Sequence, residues 1–424
     1  MNKEFHKKQN FFSFSDIDSE RKDRIMKFTS TEATPAPHVP PGVLRLTGAA
    51  KEDIPMYRIQ TMNKISPVGL NRFPSELYEV GDAVQDPQGI LVRSAKLLDL
   101  EFNPSLLAIA RAGVGVNNIP LDRCAAAGIP VFSTPGANAN AVKELVICAM
   151  LMGSRDIPGA IRWVREQAAS GVDVSTVVEK GKSAFIGPEL YKKTLGIIGL
   201  GAIGSIVANT AISLGMDVYG YDPFLSVDTA LRLDRHVHVV KDINDLYKRS
   251  DYITMHIHYT EKTAHMIDAS AIAAMKRGVR VINLARGEIV DDEAMLTALD
   301  TGMVAAYITD FPNNRLLTAP HVIAMPHLGA STPESEQNCA AMAVDALRDY
   351  LESGNIRSSV NLPEMTMDRS GVQRLCVLHK NVPGMLANIT SLFGRDGVNV
   401  ENLSNKSRGD YAYTMVDLGS KVGD

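Results

Sequence analysis

The chain is poor in cysteine, in net charge and in long apolar runs, and each shortage removes a class of protein. Its four cysteines, Cys124, Cys148, Cys339 and Cys376, are widely spaced, with no CxxC pair and no Cys/His cluster. That excludes a disulfide scaffold and supplies no zinc motif, so no metal is expected and the thiols suit a reducing, cytoplasmic setting. The 44 Lys and Arg against 48 Asp and Glu leave a net charge of −4. Such a balance gives no electrostatic reason to expect nucleic acid or a membrane surface as partner. The longest apolar stretch, near Leu145–Gly153, is far too short to span a bilayer. What remains is an ordinary globular composition, 45% hydrophobic and 22% charged. At roughly 150 residues per domain, the length predicts two or three domains.

Residues 1–55 stand apart. They mix Lys3, Lys7 and Lys8 with Asp16, Asp18 and Glu20, then run into TSTEATPAPHVPPG. There is no apolar signal-peptide core, and the acids argue against a mitochondrial presequence. The composition predicts a mobile extension with one short helix near Ser15–Phe28.

The most informative stretch is 194–222, TLGIIGLGAIGSIVANTAISLGMDVYGYD. An apolar strand runs into Gly199-Leu200-Gly201-Ala202-Ile203-Gly204, then a helix, then a second strand ending on Asp222. That order is the dinucleotide-binding unit: Gly199 for the tight turn, Gly201 for backbone approach to a pyrophosphate, Gly204 for close helix–strand packing. The free N–H groups of Ala202 and Ile203 at the helix start face the phosphates. Asp222 is placed to accept from the ribose hydroxyls and to repel a 2′-phosphate, so the cofactor is expected to be NAD rather than NADP.

Around this unit the chain reads as alternating strands and helices. Before it lie strand-like runs within Tyr57–Leu70, Ala83–Arg93, Leu106–Arg111 and Val131–Ser133, then a helical pattern from Ala139 to about Glu166. After it come Val239, Ile253–Ile257, Val279–Asn283, Val304–Ile308 and Val322–Ala324. Such alternation predicts a parallel, doubly wound sheet. The long amphipathic helix Glu334–Ser353 is expected to return to the first domain, splitting it around an inserted nucleotide domain. The predicted boundaries are 56–145 with 327–360 for the split domain and 146–326 for the nucleotide domain. From 371 to 424 a β-α-β-β order follows, which lacks the last helix and strand of a ferredoxin-like module. It predicts an open sheet edge, and a longer natural chain.

Candidate chemistry clusters at strand ends. Arg286, in INLARG, is shaped to clamp a carboxylate through two parallel hydrogen bonds. His327, in MPHLGAS, can exchange the proton of a substrate hydroxyl. His256, His258 and Thr260, in TMHIHYT at 254–260, line a cofactor groove, and Ala285 and Gly329 face the same cofactor. Asp310 can accept from a nicotinamide carboxamide, accept from His327, or cap a turn. Arg93 with Ser94, and Arg111 beside the glycine-rich Gly113–Gly115, suit a doubly anionic group such as phosphate.

These motifs, VRSA, ARAGVGVNN, TPGANANAV, GIIGLGAIG, INLARGEIVDDEAML and PHLGASTPES, together resemble the D-isomer-specific 2-hydroxyacid dehydrogenases over nearly everything past residue 55. The resemblance implies an α/β protein with a Rossmann-type NAD domain inserted in a flavodoxin-like substrate domain. It implies that Arg286 orients the carboxylate and carbonyl, that His327 is the acid/base, and that Asp310 contacts the nicotinamide. The backbone of Val114 and Gly115 would hold the substrate carboxylate, and Arg93 and Arg111 its phosphate. The implied reaction is NAD-linked oxidation of 3-phospho-D-glycerate to 3-phosphohydroxypyruvate. Rival readings are a hydroxypyruvate or glyoxylate reductase and a non-catalytic NAD-sensing regulator. The family usually has a glutamate shortly after the Asp310 position that orients the histidine. Here Phe311-Pro312-Asn313-Asn314-Arg315 follows, so either Asp310 serves both roles or His327 works without a carboxylate partner. The C-terminal piece is similar to an ACT regulatory domain, whose His379, Asn381 and Asn399 match positions that bind serine between subunits. That implies a homo-oligomer, dimer or tetramer, with L-serine as effector.

Overall fold

The computed structural model describes residues 56–421 and, as backbone strands only, 26–28 and 43–47. Two compact units divide the chain: 135–338, and 1–134 with 339–424.

In the first of these units seven strands form one parallel sheet, in the order Val237–Val240, Asp217–Tyr221, Thr194–Ile198, Tyr252–Met255, Val279–Asn283, Val304–Thr309, Val322–Ala324. Numbered within the unit this is 3-2-1-4-5-6-7, the doubly wound Rossmann order. The central strands are buried almost throughout, because helices cover both faces and leave no solvated side. Successive residues feed opposite cores. Leu195, Ile197 and Ile308 pack under the helix Ala202–Ser213 with Val207, Ala208 and Ala211. Ile198, Ile253, Val281 and Tyr307 belong to the other side. Each such side chain contributes about 1.5–3 kcal/mol by leaving water.

The second unit holds another parallel sheet, in the order Tyr78–Gly81, Tyr57–Met62, Gly89–Val92, Ala108–Arg111, Val131–Phe132. Its 2-1-3-4-5 order is flavodoxin-like. The strand Tyr78–Gly81 was not legible in sequence, since Tyr78-Glu79-Val80-Gly81 offers no sustained apolar run. The helix Pro333–Ser353 enters this unit at Cys339 and lies against its sheet. A Cβ on Gly69 would come within 2.6 Å of Ala340, Leu347 meets Gly89, and Tyr57 donates to the Leu351 carbonyl at 3.0 Å. Arg72 grips Asp345 through two 2.7 Å bonds.

The same unit carries a mostly antiparallel sheet, in the order Met26–Phe28, Val43–Thr47, Gln373–Lys380, Tyr411–Leu418, Val400–Arg408. One face is covered by the helix Met385–Arg395, whose Ile389 and Phe393 pack on Leu375, Val377, Val416 and Leu418.

Three expectations change. The edge beside Gln373–Lys380 is not open, because Val43–Thr47 pairs along it antiparallel. Residues 26–28 are strand rather than the end of a helix; the remainder of the helix expected at Ser15–Phe28, and of the mobile extension expected at 1–55 apart from 43–47, lies outside the described residues. The single helix expected from Ala139 to Glu166 is two, Ala139–Arg155 and Ile157–Ala169, because Asp156 turns left-handed (φ 42°) and caps the second through Gly159 N at 3.1 Å.

Candidate active site

The strand order of the parallel sheet in 135–338 reverses between Thr194–Ile198 and Tyr252–Met255, the crevice where open α/β sheets bind ligands. Gly199 and His256 stand at the carboxyl ends of those strands. Gly199 has φ +91°, and a Cβ there would sit 2.6 Å from the His256 carbonyl oxygen. On Gly204 it would sit 1.9 Å from the Gly199 carbonyl oxygen. Gly201 differs: a Cβ on it would meet nothing within 4 Å. No part of the described chain therefore requires glycine at 201, whereas a pyrophosphate approaching the backbone does. The helix Ala202–Ser213 starts on Gly201 with no side-chain cap, which leaves the N–H groups of Ala202 and Ile203 for an anion. Asp222 accepts Leu200 N and Phe224 N, both at 2.9 Å, one on each carboxylate oxygen. It so fixes the glycine loop while each oxygen keeps lone-pair capacity for a ribose hydroxyl. These residues fit a dinucleotide.

His256 rests with its ring 3.2 Å from Thr254 Oγ1, and burial pushes its pKa down to about 4. It is neutral at physiological pH, as suits a cofactor groove. His258 and Thr260 are exposed in the turn that follows, which Thr263 ties together.

The strand Val279–Asn283 delivers Arg286. Sequence reasoning missed the residue that shapes this loop, Asn283. It is fully buried; its Nδ2 donates to the Arg286 carbonyl at 2.8 Å and its Oδ1 accepts Ala285 N at 3.2 Å. Its only signal is polarity at the end of an apolar run. Arg286 is half-buried and its Nη1 donates to the Ala285 carbonyl at 2.6 Å.

The next strand ends on Asp310, which is 1% exposed. Its Oδ2 accepts Gly329 N at 3.3 Å, while Oδ1 has no partner among the described residues. Burial raises its pKa above the usual carboxylate value, and the nearby His327 charge opposes this without cancelling it. His327 is exposed, and its ring packs on Phe311 at 4.8 Å between centroids. The Arg286 guanidinium carbon lies 6.0 Å from the centroid of that same Phe311 ring. Asp310, Phe311 and His327 line a cavity of about 720 Å³ that Glu288, Asp291, Asp292 and Glu293 also line, with Arg315 paired to Glu293.

The other unit holds the remaining candidates. Arg111 ends one strand and Arg93 follows the end of its neighbour, and Arg111 Nε donates to the Arg93 carbonyl at 3.0 Å. Asn63, in left-handed conformation, accepts Ser94 N at 3.1 Å and so shapes the loop after Val92. Val114 and Gly115 follow Gly113 on a half-exposed turn. In the C-terminal sheet, His379 bonds Thr414 Oγ1 at 2.9 Å, and Asn381 donates to the Gly409 carbonyl at 3.2 Å. Asn399 is elsewhere. Its carbonyl accepts Gly419 N, at the end of the sheet where Gln373 pairs Leu418, opposite the end where Lys380 pairs Tyr411. The three effector candidates therefore do not meet within one chain.

Residues 147–329 match the family described as D-isomer specific 2-hydroxyacid dehydrogenase, NAD binding domain. Curated relatives include the D-3-phosphoglycerate dehydrogenases of Synechocystis sp. and Haemophilus influenzae. The first is 36% identical over 75% of this chain and 56% of that protein, the second 32% identical over 80% and 83%. The chain thus spans little more than half the length of the first. Among solved structures, an NAD+-bound 3-phosphoglycerate dehydrogenase of Entamoeba histolytica is 26% identical at TM-score 0.56, covering 72% of this chain and 99% of that one. A glyoxylate/hydroxypyruvate reductase of Sinorhizobium meliloti, described as NADPH-dependent, is 26% identical at TM-score 0.59, covering 72% and 97%.

Proposed function

Because the chain belongs to the D-isomer-specific 2-hydroxyacid dehydrogenases, we propose that it oxidises 3-phospho-D-glycerate to 3-phosphohydroxypyruvate, the entry to serine synthesis. The observation that carries the reading is one aromatic ring, Phe311, with the His327 ring packed on it at 4.8 Å and the Arg286 guanidinium 6.0 Å from its centroid. A fixed cation and a titratable ring within reach of one small molecule are what a 2-hydroxy acid requires. Arg286 holds the carboxylate and draws electron density toward the forming carbonyl oxygen. His327, neutral, takes the hydroxyl proton as the C2–O bond becomes double. NAD, when bound, supplies the acceptor for the hydride that leaves C2. Ala202, Ile203 and Asp222 hold it, with Asp222 repelling a 2′-phosphate; His256, His258, Thr260, Ala285 and Gly329 line its groove.

The phosphate is assigned to Arg93 and Arg111, with Ser94 beside them and the backbone of Val114 and Gly115 on the carboxylate. The neighbouring strand ends beside which Arg93 and Arg111 lie, joined by the 3.0 Å bond from Arg111 Nε to the Arg93 carbonyl, support this by setting two cations close together. A reductase of unphosphorylated hydroxypyruvate is the second reading, favoured only by the equally similar solved reductase. We further propose a homo-oligomer. The segment 157–186 supports it: its two helices bury no residue, and Ile161, Val164, Val178 and Ile186 are exposed. A serine site built from His379, Asn381 and the partner subunit's Asn399 would need a separate association, between the C-terminal sheets of two subunits.

The test is steady-state reduction of phosphohydroxypyruvate with NADH and NADPH, with and without serine, for the wild type and Arg93→Ala. NADH should be preferred. Arg93→Ala should lower kcat/KM for the phosphorylated substrate by roughly 10- to 150-fold, the worth of a charged hydrogen bond, and for hydroxypyruvate by far less. Equal losses on both substrates would remove the phosphate assignment.

A further inference from the structure

Among the described residues, no hydrogen bond reaches the His327 imidazole. The segment after Asp310 carries no acid until the next helix, and Asn313 is spent on Asp292, to which it donates at 2.6 Å. Asp310 fastens the backbone of the histidine loop, at Gly329, rather than the ring. What touches the ring is Phe311, at 4.8 Å and 48°.

Phe311 is itself held from three sides. Its N–H donates to Thr309 Oγ1 at 3.1 Å. Its Cβ lies 3.3 Å from where a Cβ on Gly287 would sit, so glycine at 287 admits the side chain against the arginine loop. The guanidinium of Arg286 then lies 6.0 Å from the ring centroid. One ring thus spaces the two groups proposed to act on substrate.

We infer that Phe311 is the positioning residue of this site, orienting the His327 imidazole and the Arg286 guanidinium together, in place of a carboxylate bonded to the histidine. The inference rests on the proposed role of His327. An aromatic contact restricts the ring as a hydrogen bond would, but it adds no full negative charge. The π-face gives a smaller preference for the imidazolium formed when His327 accepts the proton. The charged groups sharing the cavity are Asp310, Glu288, Asp291, Asp292, Glu293 and Arg315, with His265 as a further titratable ring. Of these, Asp310 interacts electrostatically with His327, so its contribution is separated by repeating the profiles in an Asp310→Asn background.

The experiment compares Phe311→Leu and Phe311→Tyr with wild type and His327→Asn, measuring kcat, KM, the pH profile of kcat/KM for phosphoglycerate oxidation, and Tm. In Phe311→Leu, kcat should fall about tenfold and the acid limb should move to lower pH by roughly half a unit, as the imidazolium loses its aromatic neighbour. Phe311→Tyr should restore both to within about twofold of wild type. An unmoved acid limb in Phe311→Leu overturns the inference whatever happens to kcat, as does failure of tyrosine to rescue at unchanged Tm. If His327→Asn keeps wild-type kcat, the acid/base reading itself fails. If it abolishes turnover while Phe311→Leu behaves as wild type, only the inference about Phe311 fails.

Discussion

Asp310 is a carboxylate placed where a carboxylate is costly. It is 1% exposed, one oxygen accepts Gly329 N at 3.3 Å, and the other takes nothing among the described residues. A buried acid without full hydrogen bonding favours its neutral form, and its pKa is raised accordingly. Folding therefore favours the protonated form. The stability this contributes is fully present below the unfolded pKa and is lost as pH rises through the folded one. Asp310→Asn keeps the shape and removes the charge. Its Tm should exceed wild type by a few degrees at pH 7 to 8, with the gap closing toward pH 4. A gap that stays constant with pH would show that the charge of Asp310 does not weigh on the fold. Arg286 and His327 could be singled out in sequence because each sits in a motif at a strand end. Phe311 and Asn283 could not. A phenylalanine after a strand reads as core, and an asparagine there reads as a turn; only the packed loops reveal what each touches.

Among the elements, the strand–glycine–helix unit at 194–222 was the most readable, since its glycines meet three different physical demands. Gly199 must take positive φ, Gly204 must let the helix close on the preceding turn, and Gly201 answers to nothing within the described chain. The alanine variants should separate accordingly. Gly204→Ala drives a methyl into the Gly199 carbonyl, and overpacking of this kind costs about 1–3 kcal/mol, visible as a lowered Tm. Gly201→Ala should leave Tm within about a degree and raise the KM for NADH about tenfold, because the methyl occupies the space a pyrophosphate needs. A Gly201→Ala enzyme with unchanged KM would remove that residue from the cofactor site. Other elements were less legible for local reasons. The strand Tyr78–Gly81 is too short and too polar to signal itself. The break at Asp156 depends on one left-handed residue inside an otherwise continuous helical pattern.

At the scale of the whole molecule, the C-terminal sheet is not a loosely tethered appendage of the unit that contains it. Arg374 and Asp417 are both essentially unexposed and meet through two bonds, at 2.6 and 2.7 Å. Arg374 reaches the carbonyls of Ser353 and Met367, at 3.1 and 2.9 Å, and Asp417 takes Ser370 N at 2.7 Å. Tyr413 adds a 2.6 Å bond to the Gly354 carbonyl. The pair thus joins the sheet to the end of Pro333–Ser353, the helix that begins just after the His327 loop. No sequence pattern announces this, because the partners lie 43 positions apart in strands that read as ordinary β segments. Burying two charges yields little net stability when they are paired, but removing one leaves the other stranded in a dry environment, at a cost of about 3–5 kcal/mol. Asp417→Asn should therefore destabilise the unit of 1–134 with 339–424 and leave the fold of 135–338 intact. Hydrogen exchange would show lost protection across Gln373–Lys380, Tyr411–Leu418 and the last turns of Pro333–Ser353, with the parallel strands from Thr194 to Ala324 unchanged. Replacing both partners, as Arg374→Met with Asp417→Leu, should recover much of the loss, because no charge is then buried alone. If Asp417→Asn unfolds no more readily than wild type, the ion pair does not anchor the module and the contacts of Tyr413 and its neighbours do.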